Sequence, residues 1–228
     1  DHRDLHSFPT RRSSDLLYHE NASEQILELD GDALKHIKAQ RKRVGEILRV
    51  QNLREFRAYF YEICELGRKA TLKLSRVKEL STQDYKGKII WAVCDISVIE
   101  RTLAGLNELG LDELILVYSQ YSQGNVRLDF ARFGRILANS CEQCGRAKAL
   151  KISLKNISEL DEKSTILLDF EGEIKDLKLS QNQTLFIGPE GGFSEAERQR
   201  FKQKIALNSP LILRSNTAII ACVAKMLL

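Results

Sequence analysis

The chain has 228 residues, of which 43% are hydrophobic and 29% charged, and a formal net charge of +4. This is an ordinary globular composition, which excludes a disordered or collagen-like chain, and the length suits one large or two modest domains. The longest apolar run, Thr217 to Leu228 interrupted by Lys225, falls far short of the roughly 20 residues of a membrane span, so no membrane partner is expected. No apolar segment follows a basic start, and five cysteines are an odd number for a secreted disulfide framework. A cytoplasmic location is the expectation.

The positive excess is local. Residues 17–90 hold 15 Lys and Arg against 11 Asp and Glu, whereas residues 91–228 hold 17 of each. The densest stretch is Lys35, Lys38, Arg41, Lys42, Arg43 and Arg49, opposed by Glu46. A concentrated positive patch favours a polyanion such as RNA; a solvated helix face is the plainer alternative.

In chain order, residues 1–16, DHRDLHSFPTRRSSDL, lack apolar periodicity and resemble translated adapter sequence. They are expected to be a non-native or disordered head outside the fold. Residues 17–85 read as a small β-barrel. Strands are predicted at 26–29 and 47–50, and at 56–64 and 70–77, where apolar and polar residues alternate. A short helix is predicted over 31–38.

Beyond a linker at Lys86–Lys88 the pattern changes to alternating strands and helices over 86–228. Apolar strands are predicted at 88–96, 113–119, 165–170, 184–188 and 210–214. Helices are predicted at 97–110 with a Ser97/Glu100 capping box, 129–145 burying Phe130 and Phe133, 193–201 with a Ser194/Glu197 capping box, and 216–228. Such alternation means a mostly parallel sheet with helices on both faces.

In parallel sheets of this kind, ligands bind at the carboxyl ends of the strands. Two turns lie there. The run Ile187-Gly188-Pro189-Glu190-Gly191-Gly192 follows a buried strand and leads into a capped helix. Its glycines permit close backbone approach and positive φ. It lacks the Lys-Ser/Thr of a phosphate loop, and its plainer reading is a tight strand-to-helix connection. The second run, Leu211-Ile212-Leu213-Arg214-Ser215-Asn216-Thr217, delivers an arginine and several small polar side chains to a helix start, where an ordinary N-cap is the alternative. Cys141-Glu-Gln-Cys144 has no second cysteine pair at zinc-site spacing, so no metal is expected and these cysteines are expected to be buried and structural.

Three segments in this order, SCEQCGR (140–146), LFIGPEGGFSEAE (185–197) and LILRSNTA (211–218), resemble the small-subunit ribosomal RNA methyltransferases of the RsmE type, within the SPOUT superfamily. HIKAQRKRVGEILRV (36–50) and ELG (108–110) extend the likeness over residues 17–228. The resemblance implies an α/β SPOUT domain with a C-terminal trefoil knot over 86–228, preceded by a PUA-like RNA-binding β-barrel over 17–85. It also implies a homodimer acting on ribosomal RNA or the small ribosomal subunit. The cofactor it implies is S-adenosyl-L-methionine, held by Ile187, Gly188, Pro189, Glu190, Gly191, Gly192, Leu211, Leu213, Ser215 and Thr217. The reaction it implies is methylation of uridine N3 in 16S ribosomal RNA. Family members usually carry Gly, Arg and Glu where Ser209, Leu211 and Asn216 stand here.

A fixed cation beside the uracil oxygens would stabilise the N3 anion, and Arg214 is the expected catalytic residue. Glu190 is expected to hydrogen-bond the loop backbone, with a general-base role left open. Lys35, Lys38, Arg41, Arg43 and Arg49 are the expected RNA contacts. The alternatives are a non-catalytic RNA-binding or ribosome-assembly protein, a SPOUT methyltransferase acting on transfer RNA, and a flavodoxin-type nucleotide-binding enzyme.

Overall fold

The structure is a computed structural model, and it describes residues 16–80, 86–124, 126–174, 177 and 182–228. The chain packs as two compact units. One comprises the chain up to Gln83 with Ala138–Ala149; the other comprises Asp84–Leu137 and Leu150–Leu228.

In the first unit, β1 (Leu16–Tyr18), β2 (Ile26–Leu29), α1 (Gly31–Ala39), β3 (Ile47–Gln51), β4 (Arg57–Leu66) and β5 (Ala70–Glu79) build one sheet of order β1-β3-β4-β5-β2. The alternation read in the sequence is the alternation of burial. Tyr59, Tyr61 and Ile63 of β4 pack with Leu48, Val50 and Leu72 in the core. The expected small barrel is a curled half-barrel: among the described residues its two edges, β1 and β2, do not pair. These edges have only three and four residues. Two register shifts in the β4/β5 pair, at Phe60/Tyr61 and Ile63/Glu65, bend the long hairpin and curl the sheet into a half-barrel. Leu16 belongs to β1, one residue inside the expected head; the rest of that head lies outside the described residues. Residues 138–149 join this unit through Ala138 and Cys141, which pack with Leu53 and Tyr18.

The second unit contains β6 (Lys86–Ala92), α2 (Ile96–Glu108), β7 (Leu111–Val117), α3 (Phe130–Cys144, whose second half belongs to the first unit), β8 (Lys151–Lys155), β9 (Thr165–Ile174), β10 (Thr184–Ile187), α4 (Glu195–Arg200), β11 (Gln203–Ala206) and α5 (Ser215–Leu227). The six strands run in the order β11-β9-β10-β6-β7-β8, and every pair is parallel. Strands buried on both faces need continuous apolar runs, and Ile89 to Cys94 is fully buried. On one face Ile90, Ile115, Leu167 and Phe186 cluster with Phe193, Phe201 and Leu160. On the other, α5 packs against β6, β10 and α2.

Several local expectations are corrected. Asp95, not Ser97, caps α2: its carboxylate accepts from the N–H groups of Ser97 at 2.8 Å and Val98 at 3.3 Å. A carboxylate outcompetes a hydroxyl at the positive helix end. Glu100 consequently pairs with Arg132 at 2.5 Å rather than closing a capping box. Phe130 is exposed, with its ring edge against the buried Phe133. Residues 210–214 form no strand; β11 occupies the sheet edge instead, and Leu211 and Ile212 are 73% and 82% exposed.

Candidate functional site

The two turns meet. The Ser215 hydroxyl, at the first residue of α5, donates to the Gly188 carbonyl at 2.6 Å and accepts from the Trp91 indole N–H of β6 at 2.7 Å. Ser215 and Trp91 are both buried. One hydroxyl thus ties the start of the last helix to the end of β10 and to the centre of the sheet. Around this tie lies a cavity of about 680 Å³. Ile187, Gly188, Pro189, Glu190, Gly191 and Gly192 line it from the first turn, and Leu211, Leu213, Arg214 and Ser215 from the second. Thr217 is exposed and does not line it.

The first turn is held rigidly by its own packing. The Gly192 N–H donates to the Pro189 carbonyl at 2.9 Å, and Gly192 sits at φ +70°, a region that favours glycine. A Cβ on Gly191 would come within 3.0 Å of the Tyr121 side chain. Below the turn, the expected capping box of α4 forms between Ser194 and Glu197. The Glu197 carboxylate also accepts from the Gln120 N–H at 2.9 Å, which fastens the loop after β7 to the same helix start. The sequence carried no signal for that last contact.

Asp169 was also not anticipated. It lines the cavity from the middle of β9, where its nearly buried carboxylate accepts from Arg198 Nε at 2.8 Å. Sequence spacing cannot show this pair, because its members lie on different elements 29 residues apart.

A second cavity, of about 520 Å³, lies alongside the first. Arg214 and Glu190 line both; Arg101, Thr102 and Asn216 line only the second. Among the described residues Arg214 and Glu190 have no hydrogen-bond or ion-pair partner, so Glu190 does not bond the loop backbone as expected, and both charges stay available to a ligand. The charge of Glu190 is felt nearby. Burial first, and then this carboxylate, push the Cys94 thiol up to about 12. Cys222, in α5, is likewise pushed up to about 12 by burial. All five cysteines are free thiols; Cys144 and Cys64 are exposed, which corrects the buried role expected for Cys144.

In the first unit the expected cations separate into two groups. Lys35 pairs with Asp32 at 2.9 Å, and Lys38 donates to the Gly67 carbonyl at 2.7 Å. Arg41, Arg43 and Arg49 have no side-chain partner among the described residues. Arg49 stands opposite Phe60 in the β3/β4 register, and Phe60 opposite Arg76 in β4/β5. Arg76 lies over the Phe60 ring, 4.2 Å from its centroid. The alternating pattern of β5 hid this residue among ordinary solvent-facing positions.

Residues 81–227 match the family model described as an RNA methyltransferase domain. The chain is 36% identical over 214 residues to the ribosomal RNA small subunit methyltransferase E of Helicobacter pylori strain 26695, covering 89% of this chain and 94% of that protein. It is 29% identical to the protein of that name from Mesomycoplasma hyopneumoniae, covering 89% of this chain and 94% of that protein. Among solved structures it is similar to the ribosomal RNA small subunit methyltransferase E of Neisseria gonorrhoeae bound to S-adenosyl methionine. The TM-score is 0.73 and the identity 21%, over 92% of this chain and 95% of that one. No helix among the described residues is long and apolar enough to cross a membrane. The resemblance carried by the three motifs and the match over nine-tenths of the chain agree, and the chain belongs to the ribosomal RNA small subunit methyltransferase E family of RNA methyltransferases.

Proposed function

We propose that the chain transfers a methyl group from S-adenosyl-L-methionine to N3 of a uridine in small-subunit (16S) ribosomal RNA. The observation that carries this reading is a single cavity walled by both turns, with an unpartnered arginine at its border. The lining fits the donor. The volume is that of a cofactor site, the walls are apolar at Ile187, Leu211 and Leu213, and Gly188 to Gly192 present backbone to a flat ring. Ser215 acts here as the tie between the turns, because its one proton is already committed to Gly188. When bound, S-adenosylmethionine supplies a methyl carbon made electrophilic by its sulfonium.

The residues of the chain do the rest. The turns fix the donor in line, and alignment of this kind contributes about 7–11 kcal/mol to such reactions. The guanidinium of Arg214 stabilises the negative charge that spreads from N3 onto the uracil oxygens as the N3 proton leaves. The first unit, as a PUA-like module, holds the RNA through Arg41, Arg43 and Arg49. Lys35 and Lys38 contribute to the field around it. Phosphate contacts of this kind make affinity fall steeply with salt. We read residues 207–227, which lead to the helix tied beneath Gly188, as the threaded leg of a trefoil knot. We also take the working form to be a cytoplasmic homodimer.

The test is Arg214→Ala in a single-turnover methylation assay on small ribosomal subunits, with calorimetry for S-adenosylmethionine. A rate loss of about 10²–10³-fold with donor binding retained is expected, the size seen when an oxyanion-stabilising donor is removed. A rate within a few-fold of wild type would remove Arg214 from the mechanism.

A further inference from the structure

We propose that the outer face of the first sheet carries a stacking site for one unpaired RNA nucleotide, built from Phe60, Arg76 and Arg49. The proposal rests on the reading above that the first unit holds RNA. It adds where a base sits and which form of RNA the unit accepts.

Alternation along the strands separates the two faces of this sheet. Leu48 and Val50 of β3, Tyr59 and Tyr61 of β4 and Leu72 of β5 belong to the core. Arg49 stands between the first two and Phe60 between the tyrosines, so both lie on the other face. Arg49 is opposite Phe60 and Phe60 is opposite Arg76, which makes one row across three strands. Neighbouring strands are about 4.8 Å apart, so the row spans about 10 Å, room for one nucleotide with its phosphate. Phe60 is half-buried and Arg76 exposed, with the guanidinium 4.2 Å from the ring centroid. The ring attracts the cation to its π face and so holds it in place. Aromatic rings and guanidinium planes are the surfaces on which unpaired bases stack.

The charges of the row are uncommitted. Elsewhere on the same sheet Arg57 pairs with Glu79 at 2.7 Å and Lys69 with Glu28 at 3.0 Å. Arg49 and Arg76 have no ion-pair or hydrogen-bond partner among the described residues, and the Arg49 Nε is buried without one. A buried N–H without an acceptor costs free energy, and a phosphate oxygen is the acceptor that best relieves it at a guanidinium. Glu62, two residues along β4, stands opposite Lys73 in the next row and leaves the arginine row without an acid.

The row therefore offers a ring to a base and two free cations to its phosphate. Such a site selects RNA by its state, not by its sequence. Every base has a π face, so stacking tolerates any of them. In a duplex each base is covered by its neighbours, so paired RNA cannot use the ring. The first unit on this account recognises an unpaired nucleotide, and the choice of the methylated position is left to the second unit.

The experiment follows binding to the full chain by fluorescence anisotropy over a range of salt concentrations. The probes are a short single-stranded oligoribonucleotide, the same strand made abasic, and the same sequence as a blunt duplex. Phe60→Leu is expected to weaken the intact single strand about tenfold, the change that about 1.4 kcal/mol of lost stacking provides. It is expected to leave the abasic strand and the duplex within about twofold of wild type, with the salt slope unchanged. Phe60→Tyr keeps the ring and is expected to bind every probe within about twofold of wild type. Arg76→Gln is expected to weaken the single strand and to reduce its salt slope by about 0.7, the share of one phosphate contact. Unfolding temperature and S-adenosylmethionine affinity are measured on each variant and are expected to stay at wild-type values. Arg76 is exposed, so its variant keeps the test open if the Phe60 variant folds poorly. Wild-type affinity for the single strand in Phe60→Leu and an unchanged salt slope in Arg76→Gln overturn the stacking site while the reading of the first unit stands. An equal loss for single strand and duplex in Phe60→Leu does the same. A change in sedimentation of Phe60→Leu assigns the face to a second copy of the chain and overturns the site as well. Failure of the wild type to bind any of the probes overturns the reading of the first unit, and the site with it.

Discussion

The two walls of the larger cavity are built in opposite ways. The 188–192 turn is closed by its own hydrogen bond, braced by Tyr121 and Phe193, and anchored to the sheet through Ser215. The 207–214 segment facing it has no regular structure. Among the described residues its hydrogen bonds are local, between Ser209 and Leu207 or Leu211 and from the Ala218 N–H to the Arg214 carbonyl, and it leaves Leu211 and Ile212 in solvent. Leu211 and Ile212 both line the cavity and are exposed together. One wall is therefore held by its own bonds, and on the reading proposed above the other takes its final contacts from the donor. Preorganisation costs no ordering at the moment of binding, whereas a loose wall pays an entropy cost and in return can open and close.

The contrast can be broken most severely at the tie. Ser215→Ala leaves the Trp91 N–H and the Gly188 carbonyl without their partner, a loss of about 2–4 kcal/mol if both stay buried. Thermal unfolding should show the fall, and donor affinity should fall with it. Gly172→Ala strikes the base of the loose wall. A Cβ there would lie 2.3 Å from the Ile205 backbone, which cannot yield without moving β11. The expected loss is about 1–3 kcal/mol, with the 207–214 segment displaced. Ile212→Ser should leave the unfolding temperature nearly unchanged, as surface substitutions do. It should weaken donor binding several-fold by calorimetry, because the lost apolar surface is needed only once the ligand is in place. If the serine variant instead unfolds early, the segment is not a loose wall.

The smallest effect concerns the thiols beside the fixed wall. Cys94 and Cys222 are buried and held protonated up to about 12. Native protein should react with a thiol reagent at Cys64 and Cys144, and raising the pH from 7 to 9 should add neither buried site. Their folded values lie above the ordinary value of 9.0, so the folded state keeps protons that the unfolded state gives up. The stability contributed is complete below pH 9 and declines above it.

Legibility in the sequence followed the same contrast. The buried parallel strands were readable because burial on both faces leaves an unbroken apolar run, as from Ile89 to Cys94. The α4 cap was readable because Ser194 and Glu197 are a local pair. The spacing of Ser97 and Glu100 predicts a cap two residues beyond Asp95, because spacing alone does not decide which oxygen the N–H groups choose. PLILR looks like a strand because a short apolar run such as Leu211-Ile212-Leu213 serves equally in an edge strand and in an exposed loop, and no local pattern tells them apart. Asp169–Arg198 and Phe60–Arg76 were invisible for a different reason: each joins elements that are neighbours only once the sheet has formed.

The tie at Ser215 has a consequence for how the molecule comes into being. Trp91 stands on the first strand of its unit and Ser215 on the last helix, 124 residues later. A growing polypeptide therefore carries all five strands of its first sheet well before the two turns of the second unit can be joined. Until α5 has been made, the Trp91 indole and the Gly188 carbonyl lack the hydroxyl that joins them.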